Sequence, residues 1–498
     1  MLTAWLVATF GEPILYHYSA LPKNRLIVGW TIIVILLVTS TVLLWGNWPV
    51  WLGAWLLGLY RVINLLRFLK NRLSFEELQR ISLRAFTWIL AAQLISSSVA
   101  WLAYHYHAVA VYGFDVLIAS QVLLALIIVR VSINTWLHTR PRTLTVSYGD
   151  KELPSVSVLV PARNETAALE ACLQALVASD YPKLEIIVLD DCSANRRTPE
   201  IIRSFAQAGV RFIQGAEPDE TRWLPKNQAY ARLSSEATGE LLLFCGVDVL
   251  FKPSSIRELV SQLLQKQKDM VSVLPFREPN AQAEASLLQP MRYFWELCPP
   301  RRLFKRPPVL STCWIVRREL LERCGGFEAV SRSVTPEAHF ARQAVIGDNY
   351  SFIRSDATLG ISSTKPASEQ YATTVRTRYP QLHRRLEMVA LASLGELLFL
   401  LGPLVALSLL AFMPHKVLFG SLWLGSFLIM EAVYYLVAVR TKLNHPFLAW
   451  FLYPVAVMSD VIMLHISLWK YEFGHVDWKG RNICIPVMRL EPPASPKV

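Results

Sequence analysis

Apolar residues are concentrated in two terminal blocks, and the stretch between them has the mixed polar and apolar pattern of a globular domain. A helix that crosses the apolar core of a bilayer needs about 20 mainly apolar residues. Stretches of roughly this length lie at 26–44, 50–66, 85–104, 114–136, 388–413, 417–439 and 446–469. The pattern predicts the following division: an N-terminal membrane region of about four helices (1–149), a globular domain (150–387), a second membrane region of about two or three helices (388–470) and a basic tail (471–498).

Lysine and arginine residues are unevenly distributed around the apolar stretches. Lys23 and Arg25 precede the first stretch, and the basic segment 67–84 separates the second from the third. Segment 105–113, between the third and fourth, contains neither residue type. Because basic loops stay on the cytoplasmic side, the globular domain is expected in the cytoplasm of a multi-pass protein, most simply in a bacterial cell membrane.

The C-terminal region is harder to orient. The tail after residue 470 is basic and favours the cytoplasm, whereas three full spans between the domain and the tail would place it outside. Segment 388–413 contains Glu396 and Pro403, both of which are unfavourable in lipid. We therefore predict that part of this segment is interfacial or re-entrant and that two helices cross the membrane.

The overall composition agrees with this layout. Of the 498 residues, 53% are hydrophobic and 18% charged, and the net charge is +12. A soluble protein has about a quarter charged residues. Since much of the basic charge flanks apolar stretches, we attribute it to membrane topology and anionic headgroups and expect no nucleic-acid partner.

Seven cysteines without a Cys-x-x-Cys pair favour reduced thiols over a zinc site or a disulfide framework.

The globular domain begins with alternating short strands and helices. Runs at 155–160, 184–189 and 240–245 are typical of buried strands, and 166–178 has a helical pattern. This alternation indicates a parallel α/β sheet. Ligands bind such sheets at the carboxyl ends of the strands, where polar side chains follow each run.

These polar clusters carry a resemblance to a known family. The motifs are Pro-Ala-Arg-Asn-Glu at 161–165, Val-Leu-Asp-Asp-Cys-Ser at 188–193, and the strand leading to Asp248. Together they resemble inverting family 2 glycosyltransferases with a GT-A fold, over roughly half the chain. The flanking helices and the ending Asp-Trp-Lys-Gly-Arg at 477–481, with Trp478 and Arg481, are similar to the membrane-bound branch that includes ceramide glucosyltransferases and carotenoid- or hopanoid-associated glycosyltransferases.

The resemblance implies a nucleotide-sugar donor. The donor-binding residues that it implies are Pro161, Asn164, Glu165, Asp190, Asp191 and Lys226. Asp191 would recognise the base, Asp190 would support its loop, and Lys226 would bind phosphate. Taken alone, an aspartate pair is also typical of a helix N-cap, and a lysine at a helix start is commonly exposed to solvent.

The resemblance also implies a divalent cofactor, Mg²⁺ or Mn²⁺, bound by an Asp-x-Asp motif. In this chain Gly246 occupies the first position, so the metal-binding role passes to Asp248 alone. Mg²⁺ prefers oxygen ligands and often uses substrate phosphates and waters for the rest of its shell. A simple turn aspartate is the alternative interpretation.

Two further motifs point to the chemical step. Glu337 falls where the family has the aspartate that acts as general base, with an extra methylene that moves its oxygen by roughly an ångström. Gln381 and Arg384 match a Gln-x-x-Arg-Trp motif in which Arg385 replaces Trp, and Arg384 would neutralise the leaving diphosphate. The alternatives are a first-turn glutamate favoured by the helix dipole and ordinary interfacial basic residues.

The expected activity is transfer of a hexose, with inversion, from a nucleotide-sugar (most simply a UDP-sugar) to a lipid or lipid-linked acceptor. A processive polysaccharide synthase is one alternative, although Arg385 in place of Trp weakens it. Another is a catalytically degenerate nucleotide-sugar-binding partner protein, suggested by the departures at Gly246, Glu337 and Arg385. A transporter is disfavoured because the polar motifs lie outside the apolar stretches.

Overall fold

The computed structural model describes residues 107–140, 148–277, 288–299, 306–365, 368–409, 416–440 and 446–484, together with 28–29, 31–35, 38–39, 42, 59–60, 62–70, 78 and 98. The predicted segments 26–44, 50–66 and 85–104 therefore lie largely outside the described residues. The end of the tail, 485–498, lies outside them entirely. The predictions for these segments stay predictions.

Two sheets and a small hairpin account for the strands. The strands are β1 (Val156–Ala162), β2 (Leu184–Asp190), β3 (Val210–Gln214), β4 (Leu241–Cys245), β5 (Val249–Phe251), β6 (Met270–Leu274), β7 (Phe276–Arg277), β8 (Cys313–Arg317), β9 (Tyr350–Arg354), β10 (Ile361–Ser363), β11 (Asp477–Trp478) and β12 (Arg481–Asn482). The main sheet has seven strands in the order β3–β2–β1–β4–β8–β6–β9. A second sheet has the order β5–β10–β7, and β11 pairs with β12.

The helices follow the same chain order. They are α1 (His107–His138), α2 (Ala167–Val177), α3 (Arg197–Ser204), α4 (Pro225–Glu236), α5 (Ser255–Gln265), α6 (Leu288–Leu297), α7 (Arg318–Arg323), α8 (Pro336–Ile346), α9 (Ser368–Gln381), α10 (Leu386–Gly395), α11 (Gly402–Leu409), α12 (Lys416–Arg440), α13 (Pro446–Phe451) and α14 (Tyr453–Phe473). A π-helical turn, Glu396–Leu401, joins α10 to α11.

The main sheet is mixed rather than wholly parallel. Strands β3, β2, β1 and β4 are parallel, as predicted, whereas β8 runs antiparallel to both β4 and β6. Ser272, near the end of β6, pairs with Trp314, near the start of β8, so the chain between them begins and ends at the same edge. The prediction of a parallel sheet is wrong for β8: although α6 lies in the connection from β6, the chain re-enters the sheet at the edge where it left and so runs in the opposite direction.

Both faces of the sheet are buried. Leu173 of α2 belongs to the core cluster on one face, together with Val158 of β1. On the other face, the Trp314 ring stacks on Phe244 at 4.2 Å between centroids and lies 6.0 Å from Phe340 of α8. Strands buried on both faces read as continuous apolar runs, which explains why the sequence pattern located β1, β2 and β4 to within about two residues. The aromatic cluster also fixes α8, whose first turn carries Glu337.

Three helices in the described residues are long and apolar enough to cross a membrane, judged by length and composition: Ile118–His138, Leu386–Leu404 and Val417–Arg440. They overlap the predicted segments 114–136, 388–413 and 417–439. In the predicted segment 446–469 the structure instead has α13 and α14, which are not among these three. All seven cysteines lie in the described residues, and none of them forms a disulfide there.

The helix α9 joins the globular domain to the C-terminal helices. Its Arg378 forms buried ion pairs with Glu396 (2.8 Å) and Asp460 (2.5 Å). Its Tyr379 N–H donates to Ser467 Oγ of α14 at 3.1 Å. These contacts hold α9 in one orientation relative to the apolar helices, so the face that it turns toward the domain is fixed.

Candidate active site

A cavity of about 250 Å³ lies at the carboxyl edge of the parallel strands. Pro161 and Glu165 after β1, Asp248 after β4, and Lys226 at the start of α4 all line it. Trp478 of the C-terminal hairpin lines it as well. The sheet order places β1 directly between β2 and β4, so side chains that follow these strands converge. Several residues singled out from the sequence are thereby brought together in one cavity.

Asn164 and Asp190 organise the loops beside the cavity rather than lining it. Asn164 has a positive φ of 51°, and its Oδ1 accepts from the backbone N–H of Ala194 at 2.9 Å. The Asp190 carboxylate accepts from the Ser193 backbone N–H at 3.3 Å and from Gln214 Nε2 at 3.2 Å. These bonds tie the β1 loop to the β2 loop.

Asp191 is engaged by the C-terminal tail. Its two carboxylate oxygens both accept from Arg481 Nη1, each at 2.9 Å, and this arginine also contacts Glu217 at 2.7 Å. The side chains of Asp191 and Arg481 are 6% and 5% exposed. Burial raises the pKa of Asp191, and the hydrogen bonds and charge of Arg481 oppose that rise. Asp191 therefore holds the tail hairpin through Arg481, a contact that no sequence motif indicated.

The tail hairpin makes two more contacts with the β1 loop. Lys479 Nζ forms an ion pair with Glu165, and Arg163 Nε donates to the Lys479 carbonyl oxygen at 3.1 Å. Lys479 has a positive φ of 50°, and Gly480, at 82°, supplies the left-handed turn that glycine adopts most easily. The hairpin thus contacts the loops after β1 and β2, which contain residues that the sequence analysis had singled out.

Asp248 supplies one carboxylate where the motif has two. A Cβ atom on Gly246 would lie 2.4 Å from Asp248 Oδ1, so the aspartate occupies the space in which a side chain at 246 would begin. No group of three or more His, Cys, Asp or Glu side chains in the described part of the chain is arranged to hold a metal ion. Of the two motif positions, only Asp248 therefore supplies a carboxylate that could bind a divalent ion, and the described side chains do not surround such an ion.

Lys226 lines the cavity, whereas Glu337 is buried and does not line it, although the charges of the two side chains act on each other. Asn227, next to Lys226, donates to the carbonyl oxygens of Val330 and Ser333 at 2.8 Å each, which holds the start of α4 against the segment leading to α8. Burial lowers the pKa of Lys226 to about 8, although the charge of Glu337 opposes this. Glu337 is 2% exposed, and burial raises its pKa against the opposing charge of Lys226.

One oxygen of Glu337 is available for a further contact. Its Oε2 is buried and has no hydrogen-bond partner among the described residues. Thr335, two residues earlier, lines the cavity. A buried carboxylate oxygen without a donor carries a substantial desolvation cost, which is the usual sign of a group that meets a substrate or water.

Gln381 and Arg384 lie at and beyond the end of α9 and do not line the cavity. Arg384 has a positive φ of 58°, and its carbonyl oxygen accepts from the Tyr379 hydroxyl at 2.9 Å. Arg385 pairs with Glu387 at 2.6 Å. The part of α9 that reaches the cavity comes earlier in the chain and includes Arg376.

Three basic residues that the sequence did not single out also line the cavity: Arg292, Lys365 and Arg376. They come from α6, from the residues after β10, and from α9. No local motif marks them. The one available signal was helical spacing on α9, where Thr373, Arg376 and Thr377 lie on a common face.

The comparisons with known proteins agree with the fold of this region. Residues 157–325 match the family described as "Glycosyl transferase family 2". A probable glycosyltransferase, YdaM, of Bacillus subtilis is 30% identical over 188 residues, which is 36% of this chain and 44% of that protein. The 4,4'-diaponeurosporenoate glycosyltransferase of Staphylococcus aureus is 26% identical over 137 residues, 27% of this chain and 34% of that protein. The chain thus spans less than half the length of these relatives.

Solved structures show a more distant likeness. The mannosyltransferase PcManGT of Pyrobaculum calidifontis, in complex with GDP-Man and Mn²⁺, is 18% identical with a TM-score of 0.42. The match covers 71% of this chain and 98% of that one.

Proposed function

We propose that this protein is a membrane enzyme that transfers a hexose from a nucleotide-sugar, because residues 157–325 match glycosyl transferase family 2. A UDP-sugar is the proposed donor, a lipid or lipid-linked molecule is the proposed acceptor, and the transfer inverts the anomeric centre. The proposal places the globular domain in the cytoplasm, between the two membrane regions.

The observation that supports it best is the convergence in one cavity of Glu165, Lys226 and Asp248. Glu337 is buried two residues after Thr335, which also lines the cavity. In the proposed step, the acceptor oxygen forms a bond to the anomeric carbon while the bond from that carbon to the diphosphate oxygen breaks. The electron pair remains on the diphosphate. The proton of the acceptor hydroxyl passes to the Glu337 carboxylate, which has an oxygen without a donor.

A lipid acceptor is supported by the neighbours of the cavity. Arg292 and Tyr293 of α6 and Thr373 of α9 line it. Helix α9 is joined by buried ion pairs to Glu396, within the apolar helix Leu386–Leu404. The cavity thus lies close to the apolar helices, where a lipid headgroup would reach it.

In the sequence-based form of the proposal, Asp248 holds Mg²⁺ or Mn²⁺. The ion would add positive charge beside the diphosphate. With one protein carboxylate, such an ion takes its other ligands from phosphates and water. The geometry supports at most this weak form of metal binding, since no described group of three suitable side chains surrounds the position.

We expect the purified protein in bilayer nanodiscs of native lipid to consume a radiolabelled UDP-hexose and yield a labelled product that partitions into organic solvent. The matched control is the same preparation carrying Glu337→Gln. A long water-soluble polymer would instead indicate the processive synthase. Nucleotide binding without turnover, with every UDP- and GDP-hexose supplied, would contradict the proposal and indicate the degenerate partner protein, an alternative suggested by the single carboxylate at Asp248.

The affinity for nucleoside diphosphate should fall as the pH rises. Because burial lowers the pKa of Lys226 to about 8, its charge is lost from about pH 7 to about pH 9, a range in which an exposed lysine stays protonated. Titration of UDP across this range should show weaker binding above about pH 8. Lys226→Arg, which keeps its charge, should flatten the profile; an unchanged profile would show that Lys226 is not the titrating group.

A further inference from the structure

Four basic side chains from distant parts of the chain converge on the cavity. They are Lys226 of α4, Arg292 of α6, Lys365 after β10 and Arg376 of α9. The small sheet positions Lys365, because β10 pairs with β5 and the Thr364 backbone N–H donates to the Asp248 carbonyl oxygen at 2.9 Å. The four residues are called the cation cluster below.

The members of the cluster act on one another electrostatically. Burial lowers the pKa of Lys365, and the charges of Asp248 and Glu369 oppose that change. The charges of Arg376 and Arg292 add to it. Burial likewise lowers the pKa of Arg376; the charge of Glu369 opposes that change and the charge of Arg292 adds to it. Like charges held together in a partly buried space destabilise the fold unless an anion compensates them. A bound polyanion would supply that compensation.

The acidic side chains of the cavity compensate the cluster only in part. Glu165 forms its ion pair with Lys479, outside the cluster. Glu369 lies 3.6 Å from Lys365 and is itself 53% exposed, so solvent screens it. Asp248 and the buried Glu337, whose charge acts on Lys226 and Arg292, contribute further negative charge. Gly246 removes the second carboxylate that the family motif would supply.

Arg292 also has an open donor. Its Nε atom is buried and has no hydrogen-bond partner in the part of the chain that the structure describes. Arg376 Nη2 donates to Thr373 Oγ1 at 3.1 Å, which orients its guanidinium beside the cavity. A planar guanidinium donates two parallel N–H bonds to phosphate oxygens, whereas an ammonium acts as a point charge.

We propose that the cation cluster binds the diphosphate of the nucleotide-sugar and neutralises most of its charge, with any divalent ion at Asp248 in an auxiliary role. This rests on the proposed function. The cluster receives the charge that develops when the bond between the anomeric carbon and the diphosphate oxygen breaks. It takes the role that the sequence motif assigned to Arg384.

Calorimetric titration of UDP into the protein in nanodiscs, with Mn²⁺ or with excess EDTA, tests the proposal by binding rather than turnover. We expect the wild-type dissociation constants in the two media to differ by less than about threefold. Lys365→Gln and Arg376→Gln should each weaken UDP binding roughly tenfold to a hundredfold in both media, since a hydrogen bond to a charged group is lost. Arg376→Lys should restore part of the affinity, and Arg232→Gln, at an exposed side chain of α4, is the matched control.

Binding of uridine distinguishes a direct contact between Arg376 and phosphate from a merely structural role of this residue. Because it has no phosphate, its weaker binding should be the same in wild type and Arg376→Gln. The proposal is overturned if EDTA abolishes UDP binding by the wild type, or if the variants bind uridine and UDP with equal losses. Failure of the wild type to bind UDP in Mn²⁺ as well would instead contradict the proposed function.

Discussion

Replacement of Glu337 by glutamine is expected to lower turnover of the nucleotide-sugar by about a hundredfold to ten-thousandfold, the range for removal of a general base. Glutamine has the same shape as glutamate but does not accept a proton at neutral pH. Glu337 is 2% exposed and has one oxygen without a donor, so the substitution should not disturb the surrounding packing. UDP affinity, measured by titration, should change by less than about threefold, because the effect lies in the chemical step.

The competing explanation for Glu337 is a first-turn acid that stabilises the dipole of α8. Glu319 provides the control, since it is an exposed acid in the first turn of α7. Under the dipole explanation, Glu319→Gln and Glu337→Gln would each lower stability slightly, by about 0.3–1 kcal/mol, and leave turnover intact. That outcome would remove Glu337 from the mechanism.

The dependence on pH gives a second measure of the same residue. Burial raises the pKa of Glu337 above its usual value of about 4.5, so the carboxylate needed for proton transfer is lost on acidification sooner than for an exposed glutamate. The native state binds this proton more tightly than the unfolded state does. Its contribution to stability is therefore present at low pH and lost as the pH rises through the raised pKa. Glu337→Gln should abolish that part of the stability profile.

Arg481→Ala should destabilise the protein by about 3–5 kcal/mol, the cost of leaving a buried partner charge unpaired. Asp191 accepts two hydrogen bonds from this arginine, and the two side chains are 6% and 5% exposed, so water does not replace the lost partner. The midpoint of thermal unfolding in nanodiscs, followed by the fluorescence of the α/β domain, is the measurement.

An exposed ion pair provides the comparison. Arg211 contacts Glu185 and Glu236 with 43% of its side chain exposed, and Arg211→Ala should cost only up to about 1 kcal/mol. Adding Asp191→Asn to Arg481→Ala should recover part of the lost stability by removing the stranded charge. Equal effects of Arg481→Ala and Arg211→Ala would show that the tail contact does not stabilise the folded state.

The sequence was sufficient for the parts of the fold that local pattern determines. Strands β1, β2 and β4 are apolar on both faces, and polar side chains follow each of them at one edge of the sheet. The cavity at this edge could therefore be predicted, along with Glu165, Lys226 and Asp248. Glu165 and Asp248 lie just after strand ends, and Lys226 follows the proline at which α4 begins.

The remaining features depend on contacts between distant segments. Arg481 and Asp191 are 290 residues apart, and no local pattern reveals that pair. The position of Arg376 in the cavity follows from the rotation of α9, which its buried bonds to α14 determine. Pro380 lies at the end of α9, and Arg384 beyond it adopts a left-handed backbone, so basic residues close in sequence diverge in space.

The hairpin β11–β12 has a consequence for how the chain threads the bilayer. Trp478 in the hairpin and Arg376 in α9 line the same cavity, although the C-terminal apolar helices lie between them in sequence. A chain that leaves one aqueous face and returns to it makes an even number of crossings. Leu386–Leu404 and Val417–Arg440 are two helices long and apolar enough for that path, which differs from the sequence-based prediction that part of 388–413 is interfacial or re-entrant. A reporter fused after residue 498 is therefore expected on the same side of the membrane as the cavity, and in a living cell its signal would identify that side without any assay of sugar transfer.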